Sequence, residues 1–332
     1  MRILVTGGAG YVGSHCVRGL CDARHDVVVL DNLAAGHRTA VDSRATLVVG
    51  DLSDATLVER TLAEARFDGV MHFAALAEVH ESVRDPLRYY RNNVANTVQL
   101  LEAMRRRQIR RFVFSSSCAV YGVPPRVPIT EDMPKSPINP YGRTKLAIEW
   151  ALEDCSRAWG LGATALRYFN AAGAAADGSL GEDHRPESHI IPRVLGVALG
   201  QAEAINVNGN DYPTRDGTCI RDYIHVEDLS AVHALAIERQ EEGVFNGYNV
   251  GTGRGVSVAE LIAASREVTG HAIPARSAPR REGDPAELVA DPSRIIADLG
   301  WKPRYTDIAS TLCTAWNWHG ARPAGYNDKR GA

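Results

Sequence analysis

Two periods of apolar and polar residues alternate along the first half of the chain. Short apolar runs at Arg2 to Thr6, Asp26 to Asp31, Thr46 to Gly50, Gly69 to Phe73, Arg111 to Ser115 and Ala163 to Tyr168 have the composition of buried strands. Between them lie amphipathic stretches with helical spacing, among them Tyr11 to Ala23, Asp54 to Ala65 and Pro86 to Arg107. A further helix is predicted from Pro140, because Asn139 can cap it and proline suits a first turn. Strand and helix in repeated alternation predict an α/β fold, a Rossmann doubly wound parallel sheet covered on both faces.

After Asn170 the texture changes. Residues 171–190 are rich in Gly, Ala and Asp and read as loop. Short helices follow at Pro192 to Gly200, Glu227 to Arg239 and Val258 to Thr269, with short strands and a Pro/Arg-rich segment, Ala278 to Pro285. The expected organisation is a Rossmann domain over 1–170, to which some later segments can return, and a smaller mixed α/β domain over 171–325. The loops of the second domain would face the carboxyl ends of the strands, where ligands bind in such folds. The polar residues from Gly325 onward, and 326–332 above all, are expected to fray.

Composition narrows the partners. A net charge of -3 gives no reason to expect nucleic acid or an anionic membrane. The densest basic run, Arg105 to Arg107 with Arg110 and Arg111, closes a predicted helix, where cations suit the dipole and a solvated face. No apolar run is long enough to span a bilayer, and the opening MRILVTGG reads as a strand falling into glycines, not as a signal peptide. The six cysteines are scattered without a CxxC or a Cys/His cluster, which predicts reduced thiols, a cytoplasmic setting and no metal.

Thr6-Gly7-Gly8-Ala9-Gly10-Tyr11-Val12-Gly13 lies between the first strand and the first helix, where a dinucleotide fingerprint belongs. Its glycines permit a tight turn, close approach of backbone to a pyrophosphate, and tight packing of helix on sheet. The helix N-terminus then offers N–H groups to phosphate. Asp31, ending the second strand, can accept from ribose hydroxyls and would repel a 2′-phosphate. This favours NAD over NADP, although His37 and Arg38 follow closely. Asp51, ending the third strand, suits either the adenine or a helix cap.

Tyr141 and Lys145 stand four apart on one predicted helix and share a face. Tyrosine ionises near pH ~10, and lowering that by about 3 units takes ~4 kcal/mol, within reach of an ammonium and a positive nicotinamide ring. The spacing alone is common. Ser115, Ser116 and Ser117 end the fifth strand at the same carboxyl edge, and a serine there can relay a proton from a substrate oxygen, although one or two of the three would serve only to close the strand.

These residues and their surroundings resemble the extended short-chain dehydrogenase/reductases, and within them the UDP-glucose 4-epimerase family. The likeness runs from Met1 to about Tyr326. It rests on TGGAGYVGSH (6–15), DNL (31–33), HFAA (72–75), YYRNNV (89–94), SSSCAVYG (115–122) and NPYGRTK (139–145). LRYFNAAGA (166–174), GNDYPTRDGTCIRDYIHVEDL (209–229) and APRREGDP (278–285) complete it. The resemblance implies that Tyr141 is the catalytic base, Lys145 binds the nicotinamide ribose and depresses the tyrosine pKa, and Ser117 contacts the sugar 4′-oxygen. It implies an NAD site lined by Gly7, Gly10, Tyr11, Val12, Gly13, Asp31, Asn32, Asp51, Leu52, Phe73, Ala75, Asn92 and Phe169. Asn170, Arg221, Arg281 and Asp284 would hold the UDP of a UDP-sugar, and arginines do suit a diphosphate. By resemblance, too, the chain would pair as a homodimer through the helices near 90–107 and 140–158.

Two positions depart from the family pattern. Ala77 stands where a lysine is frequent, which removes one cofactor contact. Leu288 occupies the position that gates sugar size; a tyrosine there would crowd an N-acetyl group and a small residue would admit it. Related 4,6-dehydratases need a carboxylate pair after the serine and a decarboxylating relative a glutamate, whereas this chain has Cys118 and Ala119. A non-catalytic NAD-binding scaffold would be expected to lose part of Ser117, Tyr141 and Lys145, and all are present. The expected reaction is a redox-neutral interconversion of UDP-galactose and UDP-glucose through a transient 4-keto sugar, with N-acetylhexosamine or pentose forms as alternatives.

Overall fold

A computed structural model describes residues 1–281 and 283–326. Seven parallel strands form the main sheet: β1 (Arg2–Thr6), β2 (Asp26–Asp31), β3 (Thr46–Val49), β4 (Gly69–His72), β5 (Arg111–Ser117), β6 (Gly162–Tyr168) and a later strand, Phe245–Val250. The remaining strands are β7 (Asn170–Ala172), β8 (Ile205–Asn208), β9 (Ile220–His225), β11 (Gly255–Ser257), β12 (Ala275–Ala278) and β13 (Glu287–Leu288), with Phe245–Val250 as β10. Across the sheet the order is β3-β2-β1-β4-β5-β6-β10. The chain thus winds outward in one direction from β1 and then reverses from β4, which opens a crevice between β1 and β4 at their carboxyl ends.

Buried β-rich runs drive this arrangement. Ile3, Leu4, Val5, Val29, Val70, Met71, Phe112, Val113 and Phe114 are fully buried, so both faces of the sheet must be covered. One face lies under α2 (Ala55–Ala63), α5 (Asn96–Arg106) and α6 (Pro140–Trp159), whose Leu57, Leu100 and Leu152 join Leu4, Phe112 and Phe114. Leu20 of α1 (Tyr11–Asp22) and Leu229 of α8 (Val226–Glu238) fill the other, against Ile3, Val5 and Val113. The other helices are α3 (Val79–Arg84), α4 (Pro86–Tyr89), α7 (Ile190–Ala198), α9 (Val258–Thr269), α10 (Ser293–Leu299) and α11 (Ile308–Ala321).

The stretch 86–107, predicted as one helix, is interrupted by a π-helical turn over Tyr90–Ala95. Two adjacent asparagines with low helix propensity sit there, and the wider turn brings buried Asn93 against the loop after β4. The predicted cap of α6 is present: Asn139 Oδ1 accepts from Gly142 N at 2.8 Å. Beyond residue 170, β9 is flanked by β11 and β13 and also pairs β7, while β8 pairs β12.

The expectation of fraying from Gly325 does not hold for Gly325 and Tyr326. The Gly325 N–H donates to Arg322 O at 2.9 Å, and Tyr326 is buried with its N–H on Asp183 Oδ2 at 2.9 Å. Its ring stacks on His37 and packs against Trp318, so an aromatic partner holds a segment whose neighbours look polar. Positions 327–332 lie outside the described residues.

Candidate active site

The loop after β1 meets the loop after β4 at the crevice. Gly7 has φ +72, and a Cβ there would stand 2.5 Å from Ala74 N, so only glycine fits the turn. A Cβ on Gly13 would lie 2.2 Å from Gly7 O, which fixes the close packing of α1 on the loop. Gly10 differs: its absent Cβ would meet only Gly7 O, at 3.4 Å, and otherwise faces open space in front of the first turn of α1. A pyrophosphate has room to approach backbone there, and the cradle fits a dinucleotide.

Asp31 is buried at the end of β2, where its carboxylate accepts from Ala9 N (2.9 Å) and Leu33 N (2.8 Å). Burial raises its pKa, against those two N–H groups. The carboxylate braces the glycine loop and keeps further lone pairs for a ribose. Asn32 Nδ2 donates to Asp51 Oδ2 at 2.6 Å, joining the two candidates for the nucleoside end. Asp51 is not the cap of α2; Asp54 is, accepting from Leu57 N at 3.0 Å. His37 turns away from this edge, with its Nε2 3.1 Å from Asp183 O. Tyr11 and Val12 open α1, and the Tyr11 hydroxyl donates to Gly173 O at 2.7 Å.

Phe73 and Ala75 lie half-buried in the loop after β4, and Leu52 is buried behind it. Asn93 holds that loop by its backbone: Oδ1 accepts from Leu76 N (2.8 Å) and Nδ2 donates to Leu76 O (3.0 Å). Asn92 in turn donates to Asn93 Oδ1 at 2.9 Å. Asn93 escaped the sequence reading, although the asparagine doublet inside a helical pattern was a signal for it. Ala77 is exposed on the same loop.

The three serines of β5 divide their work. Ser115 Oγ and the Tyr168 hydroxyl share a hydrogen bond of 2.6 Å, and Ser116 donates to buried Glu149 Oε1 at 2.7 Å. Ser117 accepts from Ala119 N at 3.2 Å and stands beside the Tyr141 phenol, whose pKa it lowers. Lys145 is buried; its Nζ donates to Ser115 O at 2.7 Å and lies 5.7 Å from the centre of the Tyr141 ring. Burial brings the Lys145 pKa down to about 7, against Glu149 one turn further along α6.

Burial likewise pushes the Tyr141 phenol above its ordinary value, with Tyr168 adding to the rise and Ser117 opposing it. Within the chain's own residues, desolvation sets the direction of the Tyr141 pKa. The expected depression counts on the positive charge of an oxidised nicotinamide as well as on Lys145.

Glu149 also escaped the sequence reading. It pairs with Arg167 of β6 (2.7 Å), whose Nη1 donates to the Tyr121 hydroxyl at 2.8 Å, and all these side chains are buried. An arginine within an apolar strand, and a glutamate four beyond Lys145, were the available signals.

The second half brings the predicted substrate residues to the same edge. Arg221 of β9 pairs with Asp284 and faces Leu288 of β13 across the strand register. Phe169, Leu288 and Cys118 pack in one apolar cluster, which joins the end of β5 to this region. Asn170 Nδ2 donates to Asp222 O at 3.0 Å. Arg281 donates to the Asn208 side-chain oxygen at 3.1 and 3.2 Å, whereas Arg280 points outward to Asp211 at 2.6 Å. Tyr141, Ser117, Arg221 and Asp284 thus come from four separate segments.

The sequence matches the model of the NAD dependent epimerase/dehydratase family over residues 3–251. It is 49% identical to the UDP-glucose 4-epimerase of Lacticaseibacillus casei over 99% of this chain and 100% of that one. With the UDP-glucose 4-epimerase of Halalkalibacterium halodurans the identity is 50%, over 98% of each chain. The crystal structure of UDP-glucose 4-epimerase from Bifidobacterium longum in complex with NAD+ and UDP superposes with a TM-score of 0.94 at 39% identity, covering 98% of this chain and 100% of that one. The chain belongs to the NAD dependent epimerase/dehydratase family and groups with its UDP-glucose 4-epimerases.

Proposed function

We propose that the chain is an NAD-dependent 4-epimerase that interconverts UDP-galactose and UDP-glucose. The observation that carries this reading is the convergence of Ser117, Tyr141 and Lys145 with Arg221 and Asp284 at one edge of a dinucleotide fold. In the division of labour proposed here, residues 1–170 with β10 hold NAD and residues 171–325 hold the UDP-sugar.

NAD would lie on Gly7, Gly10, Gly13, Tyr11 and Val12, with its ribose on Asp31, its adenine near Asn32, Asp51 and Leu52, and its nicotinamide end toward Phe73, Ala75, Asn92, Tyr141, Lys145 and Phe169. When bound, NAD would supply the acceptor for the hydride of C4′ and the store from which it comes back. Tyr141 takes the 4′-hydroxyl proton as hydride leaves and gives it back on the return, and Ser117 orients the 4′-oxygen. Lys145, fixed on the Ser115 carbonyl, favours the phenolate. Asn170, Arg221, Arg281 and Asp284 hold UDP, and this binding energy lets the hexose be gripped loosely enough to present its other face. Leu288 sets the room beside the sugar.

The test is direct. UDP-galactose given to the protein with no added NAD is expected to yield UDP-glucose at equilibrium. No conversion by protein that retains NAD would favour the scaffold reading instead.

The proposed assembly is a homodimer through α5 and α6. Leu87 (65% exposed), Tyr90 (39%) and Trp150 (60%) leave unusual apolar area on that side. Sedimentation of wild type and Trp150→Glu distinguishes dimer from monomer. The proposed setting is cytoplasmic: among the described residues all six cysteines are free thiols and no helix is long and apolar enough to cross a membrane.

A further inference from the structure

We propose that Glu182, His184, Glu187 and His189 form a structural site for a zinc-class divalent cation. No chemistry assigned above uses these four residues, and the proposal does not depend on the epimerase reading. They occupy the segment between β7 and α7, where E-x-H-x-x-E-x-H folds back on itself. One ligand atom from each lies within 4.8 Å of all the others.

The spacing brackets that of a coordination shell. Zn–N and Zn–O bonds of about 2.0–2.2 Å at tetrahedral angles put ligand atoms roughly 3.4 Å apart. His184 Nδ1 stands 3.2 Å from Glu182 Oε1 and 3.7 Å from Glu187 Oε2, and His189 Nδ1 stands 4.0 Å from Glu187 Oε1. His189 Nδ1 also pairs with Glu182 Oε1. Small side-chain movements would regularise these distances.

A second observation points to a ligand. The Nδ1 atom of His184 is buried and has no hydrogen-bond partner, although a carboxylate lies near. It stands between two carboxylates, 3.2 Å from Glu182 Oε1 and 3.7 Å from Glu187 Oε2. A cation there would satisfy it and neutralise two carboxylates, of which Glu182 is only 3% exposed. Imidazole nitrogen with carboxylate oxygen suits Zn²⁺ or Co²⁺ better than Mg²⁺ or Ca²⁺, which prefer oxygen alone.

Access and consequence are both visible. The cluster opens on a cavity of about 520 Å³ lined also by Arg193 and His319. His184 packs edge-on against Tyr11, with ring centres 6.3 Å apart, and Ser188 donates to Glu78 Oε1 at 2.9 Å. An ion would therefore tie this segment against the loops after β1 and β4.

Full-length protein dialysed against chelator is titrated with Zn²⁺ by calorimetry, and separately with Mg²⁺. One Zn²⁺ per chain is expected, with no Mg²⁺ uptake and a rise in Tm of about 4 °C at a hundredfold excess over Kd. Co²⁺ should give the intense visible bands of a tetrahedral site. His184→Ala and the exposed-site variant His189→Ala should each weaken Zn²⁺ by at least the ~10–100-fold that follows loss of an outer-shell partner. Absence of Zn²⁺ binding overturns the proposal, as does equal binding by folded His184→Ala and His189→Ala proteins, which would place the ion elsewhere.

Discussion

The ammonium of Lys145 donates to the Ser115 carbonyl oxygen, 2.7 Å away, and lies 5.7 Å from the centre of the Tyr141 ring. The lysine is thus anchored by the end of β5, and its charge reaches the phenol through space. Burial holds its pKa at about 7, well below the ordinary lysine value. Between about pH 7 and the unfolded value near ~10.4 the unfolded chain binds the extra proton, so stability rises with pH across that window. Lys145→Met removes the burial cost. It should be more stable than wild type near pH 7, by on the order of 3 kcal/mol, with the gap closing toward pH ~10. Urea denaturation across that range measures it, and a gap that widens with pH contradicts the assignment.

The same substitution should cost activity through Tyr141. Without the ammonium, the phenolate is harder to form, and the acidic limb of the kcat/KM profile should shift to higher pH. A profile that keeps its position while kcat falls would mean that Lys145 acts by another route.

Glu149 and Arg167 form a buried ion pair that also holds Ser116 and Tyr121. Glu149→Gln leaves a buried guanidinium partly unpaired and should destabilise by about 3–5 kcal/mol. Glu149→Leu combined with Arg167→Met should recover most of that loss. Chemical denaturation of the single and double variants decides it; a single-variant loss below ~1 kcal/mol would show that the pair is not a structural tie.

The three glycines of the fingerprint make different demands, and alanine should separate them. Gly13→Ala drives a Cβ to 2.2 Å from Gly7 O and should destabilise the fold itself. Gly10→Ala meets only one atom, at 3.4 Å, so the protein should keep its Tm within a few degrees and lose NAD affinity. Equal loss of Tm in both variants would refute this division.

Much of this site could be read in the residues, because it is local. The glycine spacing, Asp31 at a strand end, and Tyr141 four before Lys145 each sit within one strand, turn or helix. What the reading missed was assembled by tertiary contact. Asn93 reaches Leu76 only because the helix widens into a π turn, and Glu149 meets Arg167 only when α6 lies on β6. The burial that raises the Tyr141 pKa in the chain alone also depends on packing that spacing does not disclose. Tyr326, taken for part of a loose tail, is held by His37 and Trp318 from distant segments.

Leu288 packs with Phe169 and Cys118 beside the proposed sugar position. Leu288→Tyr should lower kcat/KM for UDP-N-acetylgalactosamine relative to UDP-galactose by roughly tenfold or more, the scale of crowding one small group in a pocket. An unchanged ratio would remove Leu288 from the gate.

The central claim is that Tyr141 moves the 4′-hydroxyl proton during a redox-neutral epimerisation. Its most direct test compares wild type with Tyr141→Phe, both confirmed to hold NAD, in the conversion of UDP-galactose to UDP-glucose. Loss of about 10²–10⁴-fold in kcat with NAD retained is the predicted result. Turnover by Tyr141→Phe at the wild-type rate would contradict the account.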